Sequence, residues 1–313
     1  MDFVQPEVVI SGVVALAGPP NAGKSTLMNK LLGQKISIVT PKPQTTRNRI
    51  AGVLNGEGYQ IVFLDTPGLH RSSVPFNREM IQVALDSLVD VEAVVFMIDV
   101  SQSSPEHVRK QKQSEYKKYL ERVTSPTFLL LNKIDLIDRN ELLPIIEAYA
   151  ELYPFNAVIP VSALTGDGLE QLVDELLKLL PKGFPYFPED VPTDATERFL
   201  AAEIIREKVF LLTGQEIPYS SAVLIESFKE DANRNLVEIH ATIYLERKSQ
   251  KGIVLGKGGK KIKDIGIAAR KDIEEMVDRK VMLHLWVKIR KHWSRDENFL
   301  KELGCKSAIY LLT

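Results

Sequence analysis

The chain has 313 residues, with 40 Lys and Arg, 41 Asp and Glu, 44% hydrophobic residues and one cysteine. That length is the size of two domains, and average apolar and charged fractions exclude a disordered, collagenous or coiled-coil chain. The lone Cys305 excludes an intramolecular disulfide framework and a Cys-rich zinc site and fits a reduced, cytosolic setting, while a net charge of −1 argues against a nucleic-acid partner unless the total hides an uneven distribution.

Residues 8–23 carry no charge, but Asp2 and Glu7 precede them where a signal peptide needs basic residues. The run is also broken by Gly12, Gly18, Pro19 and Pro20 and is too short to span a bilayer. It reads instead as a buried strand, Val13–Ala17, entering a glycine turn. That turn, Gly18-Pro19-Pro20-Asn21-Ala22-Gly23-Lys24-Ser25, fits GxxxxGK[ST] between a strand and the helix Lys24–Leu32. Backbone N–H groups of such a loop hold anionic oxygens. Lys24 would meet the outer two phosphates, and the Ser25 hydroxyl would serve Mg²⁺.

Gln44-Thr45-Thr46-Arg47 lies in a stretch without periodicity, as a switch segment would. A hairpin follows, Arg49–Leu54 and Tyr59–Leu64 around Asn55-Gly56. Its second strand runs into Asp65-Thr66-Pro67-Gly68, where Asp65 would hold Mg²⁺ through water and the Gly68 N–H would meet the γ-phosphate. Leu69–Asn77 reads as a second mobile segment. Further strands are expected at Ala93–Asp99, Thr127–Leu131 and Ala157–Val161, alternating with helices at Pro105–Arg122, Glu141–Leu152 and Leu169–Leu180. Short, near-continuous apolar strands between helices imply a mostly parallel sheet.

After the strand Thr127–Leu131 comes Asn132-Lys133-Ile134-Asp135. A carboxylate there can accept from the N1 and exocyclic amine of guanine, a donor pair that adenine lacks. The stalk of Lys133 would cover the ring, and Ser162-Ala163 would offer a backbone N–H to O6.

Residues 181–194 hold four prolines and read as a semi-rigid linker. Beyond it come a helix at about 195–212, strands near Ser221–Ser227 and Val237–Glu246, a helix at about 260–276 and a strand at Val281–Ile289. Trp286 is expected in the core, and no histidine cluster shows metal-ligand spacing. Between Ile253 and the helix lies Gly256-Lys257-Gly258-Gly259, which resembles the GXXG loop of a KH domain, a clamp for four nucleotides. Ile253 and Leu255 would floor its groove, with Lys251, Lys257 and Lys260 nearby for phosphates.

GPPNAGKS, QTTRN, DTPG, NKID, SAL at 162–164 and GKGG together resemble the Era-like GTPase family, bacterial ribosome-assembly GTPases with a C-terminal KH domain. The resemblance covers nearly the whole chain. It implies an α/β P-loop GTPase domain at 1–180, a linker at 181–194 and an α+β type II KH domain at 195–313. It implies GTP/GDP and Mg²⁺ as ligands, with Thr46 rather than Thr45 completing the Mg²⁺ shell, and extends the nucleotide contacts to Thr26, Thr66, Pro67 and Leu164. Hydrolysis would rest on Lys24, Thr46, Asp65 and Gly68. Leu69 stands where Ras-type enzymes carry a water-orienting glutamine, so intrinsic turnover should be slow; an asparagine at the Asn21 position accompanies a potassium ion in some related enzymes. The implied partner is the 3′ region of 16S ribosomal RNA on the 30S subunit, bound by a monomer in the cytoplasm. Peripheral membrane contact is a family trait for which the sequence shows no lipid anchor. Charge fits this picture: Arg247–Lys263 holds seven basic residues and no acid, and Arg279–Arg295 holds six and none. The total of −1 therefore averages a slightly acidic first part with a locally basic second.

Overall fold

The computed structural model describes residues 8–69, 75–101, 103–104, 119–214 and 216–304. They fall into two compact units, one built from residues up to Ser37 with Arg49–Asp194, the other from Ile38–Asn48 with the chain from Ala195 onward.

The first unit is built on a sheet of β1 (Val9–Ala17), β2 (Ile50–Gly56), β3 (Tyr59–Asp65), β4 (Ala93–Asp99), β5 (Thr127–Asn132) and β6 (Ala157–Val161), in the order β2-β3-β1-β4-β5-β6. All neighbours are parallel except β2 and β3, the hairpin expected at Asn55-Gly56. Residues 11–17 of β1 and all of β5 are buried, which is why these strands show no polar alternation. The flanking helices include α1 (Lys24–Leu32), α2 (Pro75–Asp86), α3 (Arg139–Ala150) and α4 (Leu169–Leu177). The stripe of α4 buries Leu169, Leu172 and Leu176. The segment read as mobile, Leu69–Asn77, divides differently: Leu69 is buried in the core, and Pro75–Asn77 form the first turn of α2, where proline's missing N–H has no cost. Residues 70–74, and most of the helix expected at Pro105–Arg122, lie outside the described residues, as does Cys305.

The proline-rich stretch is tied down along this unit. Lys182–Gly183 form β7, antiparallel to the start of β1. The Gln60 side chain accepts from the Tyr186 and Phe187 N–H groups at 2.7 and 2.9 Å and donates to the Phe187 carbonyl at 2.9 Å. The Val53 N–H donates to the Pro192 carbonyl at 2.8 Å. Prolines lose donors but keep carbonyls, so the segment serves sheet groups that need acceptors.

The second unit contains α5 (Glu197–Leu212), α6 (Ile217–Ser220), β8 (Ser221–Asp231), β9 (Leu236–Leu245), α7 (Lys248–Leu255), α8 (Lys260–Val277), β10 (Lys280–Ile289) and α9 (Glu297–Glu302). The expected helices and strands are all present, joined by α6, α7 and α9. The sheet runs β10-β9-β8, with β9 and β10 parallel and β8 antiparallel. Alternate residues of β9, Val237 to Leu245, pack with Ile204, Ile205, Ile265, Ala269 and Ile273 of α5 and α8. Trp286 does not join them. It lies on the other sheet face and is 43% exposed, whereas Trp293 is fully buried and donates its indole N–H to the Ser220 carbonyl at 3.0 Å.

Candidate functional site

Parallel strands place their C-terminal ends at one edge, and there the chain turns into helices whose free N–H groups collect. The phosphate loop leaves β1, Asp65-Thr66-Pro67-Gly68 leaves β3, Asn132-Lys133-Ile134-Asp135 leaves β5, and Ser162-Ala163-Leu164 leaves β6. Four motifs spread over 147 positions of sequence (18–164) thus share one rim.

The phosphate loop needs its glycines. Gly18 has φ +138°, and a Cβ there would sit 2.1 Å from the Met97 carbonyl oxygen. Gly23 has φ +105°, and its Cβ would fall 2.2 Å from the Asn132 side-chain nitrogen. Lys24 opens α1 and is buried, its ammonium donating to the Gly18 and Pro19 carbonyls at 3.2 and 3.1 Å. Burial lowers its pKa to about 8, with the Asp65 carboxylate pulling the other way. Ser25 donates its hydroxyl to Asp65 Oδ2 at 2.6 Å, and Asp65 is fully buried. A hydroxyl and a carboxylate oxygen this close form a hard oxygen donor set of the kind Mg²⁺ takes beside phosphates. Thr66 is held differently: its hydroxyl donates to the Leu16 carbonyl at 2.7 Å and anchors the turn to β1. Gly68 lies against the loop, since a Cβ there would come within 2.7 Å of the Pro20 nitrogen, and the Leu69 N–H donates to the Gly18 carbonyl at 2.9 Å. The Leu69 side chain points into the core.

At the other end of the rim, Asn132 is buried between loops. Its amide nitrogen donates to the Ala22 carbonyl at 2.7 Å and its amide oxygen accepts from the Ala163 N–H at 2.9 Å. Lys133, at φ +71°, pairs with Asp99, and Asp135 is exposed in the short turn Ile134–Leu136. Burial pushes the Asp99 carboxyl up, but hydrogen bonds from Lys133 and Ser101 together hold it below the usual range. Leu164 is 72% exposed beside Ala163. The part of Asp99 is one that motif spacing did not reveal, because its partner lies 34 residues away on a neighbouring strand.

Thr46 lies in the segment 38–48, which belongs to the second unit. There the Thr45 hydroxyl donates to the Lys42 carbonyl at 2.8 Å, and the Thr45 carbonyl accepts from Arg206 at 2.6 Å. Arg47 donates to the Ser221 and Pro218 carbonyls at 2.8 and 2.9 Å and lies over the Phe210 and Trp293 rings.

The GKGG loop joins α7 to α8. Gly256, Gly258 and Gly259 have φ of +70°, +60° and +76°. A Cβ on Gly256 would come within 2.7 Å of Lys261 Cβ, while Gly258 and Gly259 face open space within 4 Å. Lys257 and Lys260 are exposed, and Lys251 is half-buried. Ile253 is exposed, and Leu255 packs partly buried against the core of this unit. An open groove of about 1080 Å³ runs between α8 and β10, its walls including Ile262, Lys263, Ile267, Arg270, Leu283 and Leu285. Its helix wall repeats at three- and four-residue spacing from Ile262 on, the one trace of it in the sequence. Of the acidic residues on α8, Asp272 is paired with Lys208 and Glu274 accepts from the Val281 N–H, both drawn away from the loop.

A histidine cluster does occur: Glu238, His240 and His284 bring ligand atoms within 4.8 Å of one another. The expectation of none considered spacing along the chain, whereas strand pairing joins residues 44 apart.

Fold and site define the class: a P-loop GTP-binding domain followed by a type II KH domain. Comparison with known proteins agrees. Residues 13–133 match the family model described as 50S ribosome-binding GTPase, and residues 216–294 match the KH domain model. The GTPase Era of Geobacter metallireducens is 50% identical over 94% of this chain and 97% of its own length, and that of Syntrophus aciditrophicus is 48% identical over 94% of each. A crystal structure of Era in complex with MgGDPNP and nucleotides 1506–1542 of 16S ribosomal RNA superposes with a TM-score of 0.88 at 40% identity, covering 96% of this chain and all of that one. A variant of Aquifex aeolicus Era bound to GDP and AlF4⁻ gives 0.87 at the same identity and coverage. The chain belongs to the GTPase Era family.

Proposed function

We propose that this chain is a GTP-hydrolysing switch that binds the 3′ region of 16S ribosomal RNA through its KH unit and acts in assembly of the 30S subunit. The observation that carries the reading is the rim itself. Lys24, the Ser25–Asp65 pair, Gly68 and the Asn132 bridge meet at one edge, on a chain that also carries an open glycine loop flanked by exposed lysines.

In this reading the loop Gly18–Ser25 wraps the phosphates, the N–H groups from Asn21 to Thr26 hold them, and Lys24 neutralises the outer two. Mg²⁺ would be held by Ser25, Asp65 and Thr46, and supplies charge neutralisation on the phosphate oxygens. Gly68 offers its N–H to the γ-phosphate. Asp135 reads the guanine, Lys133 covers its face, and the Leu164 N–H faces O6, the Ala163 N–H being held by Asn132. With Leu69 buried, no side chain at that position can orient water, so turnover is slow without a partner. In sequence we place the GTPase domain at 1–180 and the KH domain at 195–313, the proline segment packing with the first and 38–48 with the second. Among the described residues no helix is long and apolar enough to cross a membrane. The cytoplasmic assignment rests on family membership and the single cysteine.

The RNA would follow the GKGG loop and enter the groove between α8 and β10, phosphates at Lys257 and Lys260 and bases against Ile262, Ile267 and Leu283. The decisive measurement is binding of the 3′ 16S segment to full-length protein loaded with a non-hydrolysable GTP analogue or with GDP. Equal affinity in both states would remove the switch. For the guanine claim, Asp135→Asn should weaken GTP binding at least about tenfold, the size expected from losing charge-assisted bonds.

A further inference from the structure

β9 and β10 pair in parallel with His240 directly opposite His284. Glu238, two residues before His240, lies on the same sheet face by the period of a strand. The opposite face carries the core residues Val237, Ile239 and Ala241. All three polar residues are half-buried. Glu238 Oε1 lies 2.7 Å from His240 Nε2 and 3.9 Å from His284 Nε2, and the two imidazole rings are 4.7 Å apart between centroids. Trp286, next on that face of β10, packs against both rings at 5.3 and 5.9 Å and limits their rotation.

We propose that Glu238, His240 and His284 form a site for one borderline divalent transition-metal ion, of which zinc is the type. Two imidazole nitrogens and one carboxylate oxygen are a ligand set suited to such ions and not to Mg²⁺. With metal–ligand bonds of about 2.0–2.1 Å, neighbouring ligand atoms of a tetrahedral site stand about 3.3–3.4 Å apart. The two Glu–His separations of 2.7 and 3.9 Å bracket that value and no two ligand atoms stand more than 4.8 Å apart, so closing the site needs shifts of at most about 1.5 Å. Three protein ligands leave a fourth position open to solvent, which makes this an exchangeable surface site rather than a closed structural one. Metal bound here would bridge β9 to β10 and stabilise the sheet that carries the groove wall.

The test is calorimetric titration of metal-free, full-length protein with zinc chloride, with magnesium at about 5 mM to occupy sites made for hard oxygen ligands. The expected result is one equivalent of zinc, with affinity falling at least about tenfold in His284→Gln and in His240→Asn. His284 stands at 3.9 Å and makes no hydrogen bond to Glu238, so its replacement should leave the melting temperature of the metal-free protein unchanged. Cobalt in place of zinc should give the intense visible absorption of a tetrahedral ion, lost in the same variants. If zinc bound the wild-type protein and His284→Gln equally, or failed to bind at about 100 µM, the cluster would be only a hydrogen-bonded His–Glu pair beside a tryptophan, and the proposal would fall.

Discussion

The Asn132 side chain donates to the Ala22 carbonyl at 2.7 Å from 110 positions further along the chain. Its other atom accepts from Ala163, so one buried amide joins the phosphate loop to the loop at the guanine end. Replacing Asn132 with alanine leaves a carbonyl and an N–H buried without their partner, at a cost of about 1–3 kcal/mol. We expect GTP and GDP affinity to fall together by about 10- to 100-fold. Asn132→Asp keeps the acceptor for Ala163 but loses the donor to Ala22, and should be intermediate in stability. Nucleotide titrations with melting curves on both variants decide this; an alanine variant with wild-type affinity would show the bridge to be incidental.

Lys24 makes nucleotide binding depend on pH. Its pKa of about 8, lowered by burial, means that the free protein has lost half of this charge at pH 8. Phosphates beside the ammonium raise its pKa, so the bound state holds more protons than the free one. Affinity should be level below about pH 7 and weaken as pH rises through 8, by at most about tenfold per pH unit. Calorimetry at pH 8 in buffers of different ionisation enthalpy should report uptake of roughly half a proton on binding. Lys24→Arg should abolish that uptake, since arginine does not titrate there.

Within the GKGG loop the glycines are needed for different reasons. Gly258 has φ +60°, a value asparagine and aspartate tolerate, and open space around it. Gly258→Asp should therefore fold with a melting temperature close to wild type, yet lose RNA affinity by about tenfold or more through charge and bulk. Gly256→Ala meets Lys261 Cβ at 2.7 Å and should lower stability by about 1–3 kcal/mol. Gel-shift and thermal melts on the pair separate the two effects; normal RNA binding by the aspartate variant would clear the loop of its assigned role.

Arg47 stands two residues from Thr45 and one from Thr46, and binds the Pro218 and Ser221 carbonyls of the second unit. The segment expected to sense the γ-phosphate is thus held by groups next to β8. Arg47→Ala should leave GTP affinity within about twofold while shrinking the ratio of RNA affinities between GTP and GDP states at least about fivefold. RNA titrations in both nucleotide states measure this directly, and an unchanged ratio would place the coupling elsewhere.

The sequence by itself determined the nucleotide chemistry and both folds. A phosphate loop, a guanine motif and a glycine clamp each need contiguous residues in a particular strand-to-helix turn, so Gly18–Ser25, Asn132–Asp135 and Gly256–Gly259 were legible without coordinates. Alternation of apolar strands and amphipathic helices was enough for the parallel sheet. Tertiary structure alone decided whatever depends on register between distant strands or on which sheet face is covered. It set Asn132 between Ala22 and Ala163, joined Asp99 to Lys133, and opened a groove between α8 and β10. It left Trp286 exposed on the sheet face opposite the one that α5 and α8 cover, and put His284 opposite His240. The physical reason is common to all of these: hydrogen-bond pairing between strands joins residues with no proximity along the chain, and periodicity reports that a strand has two faces but not which of them the helices will cover.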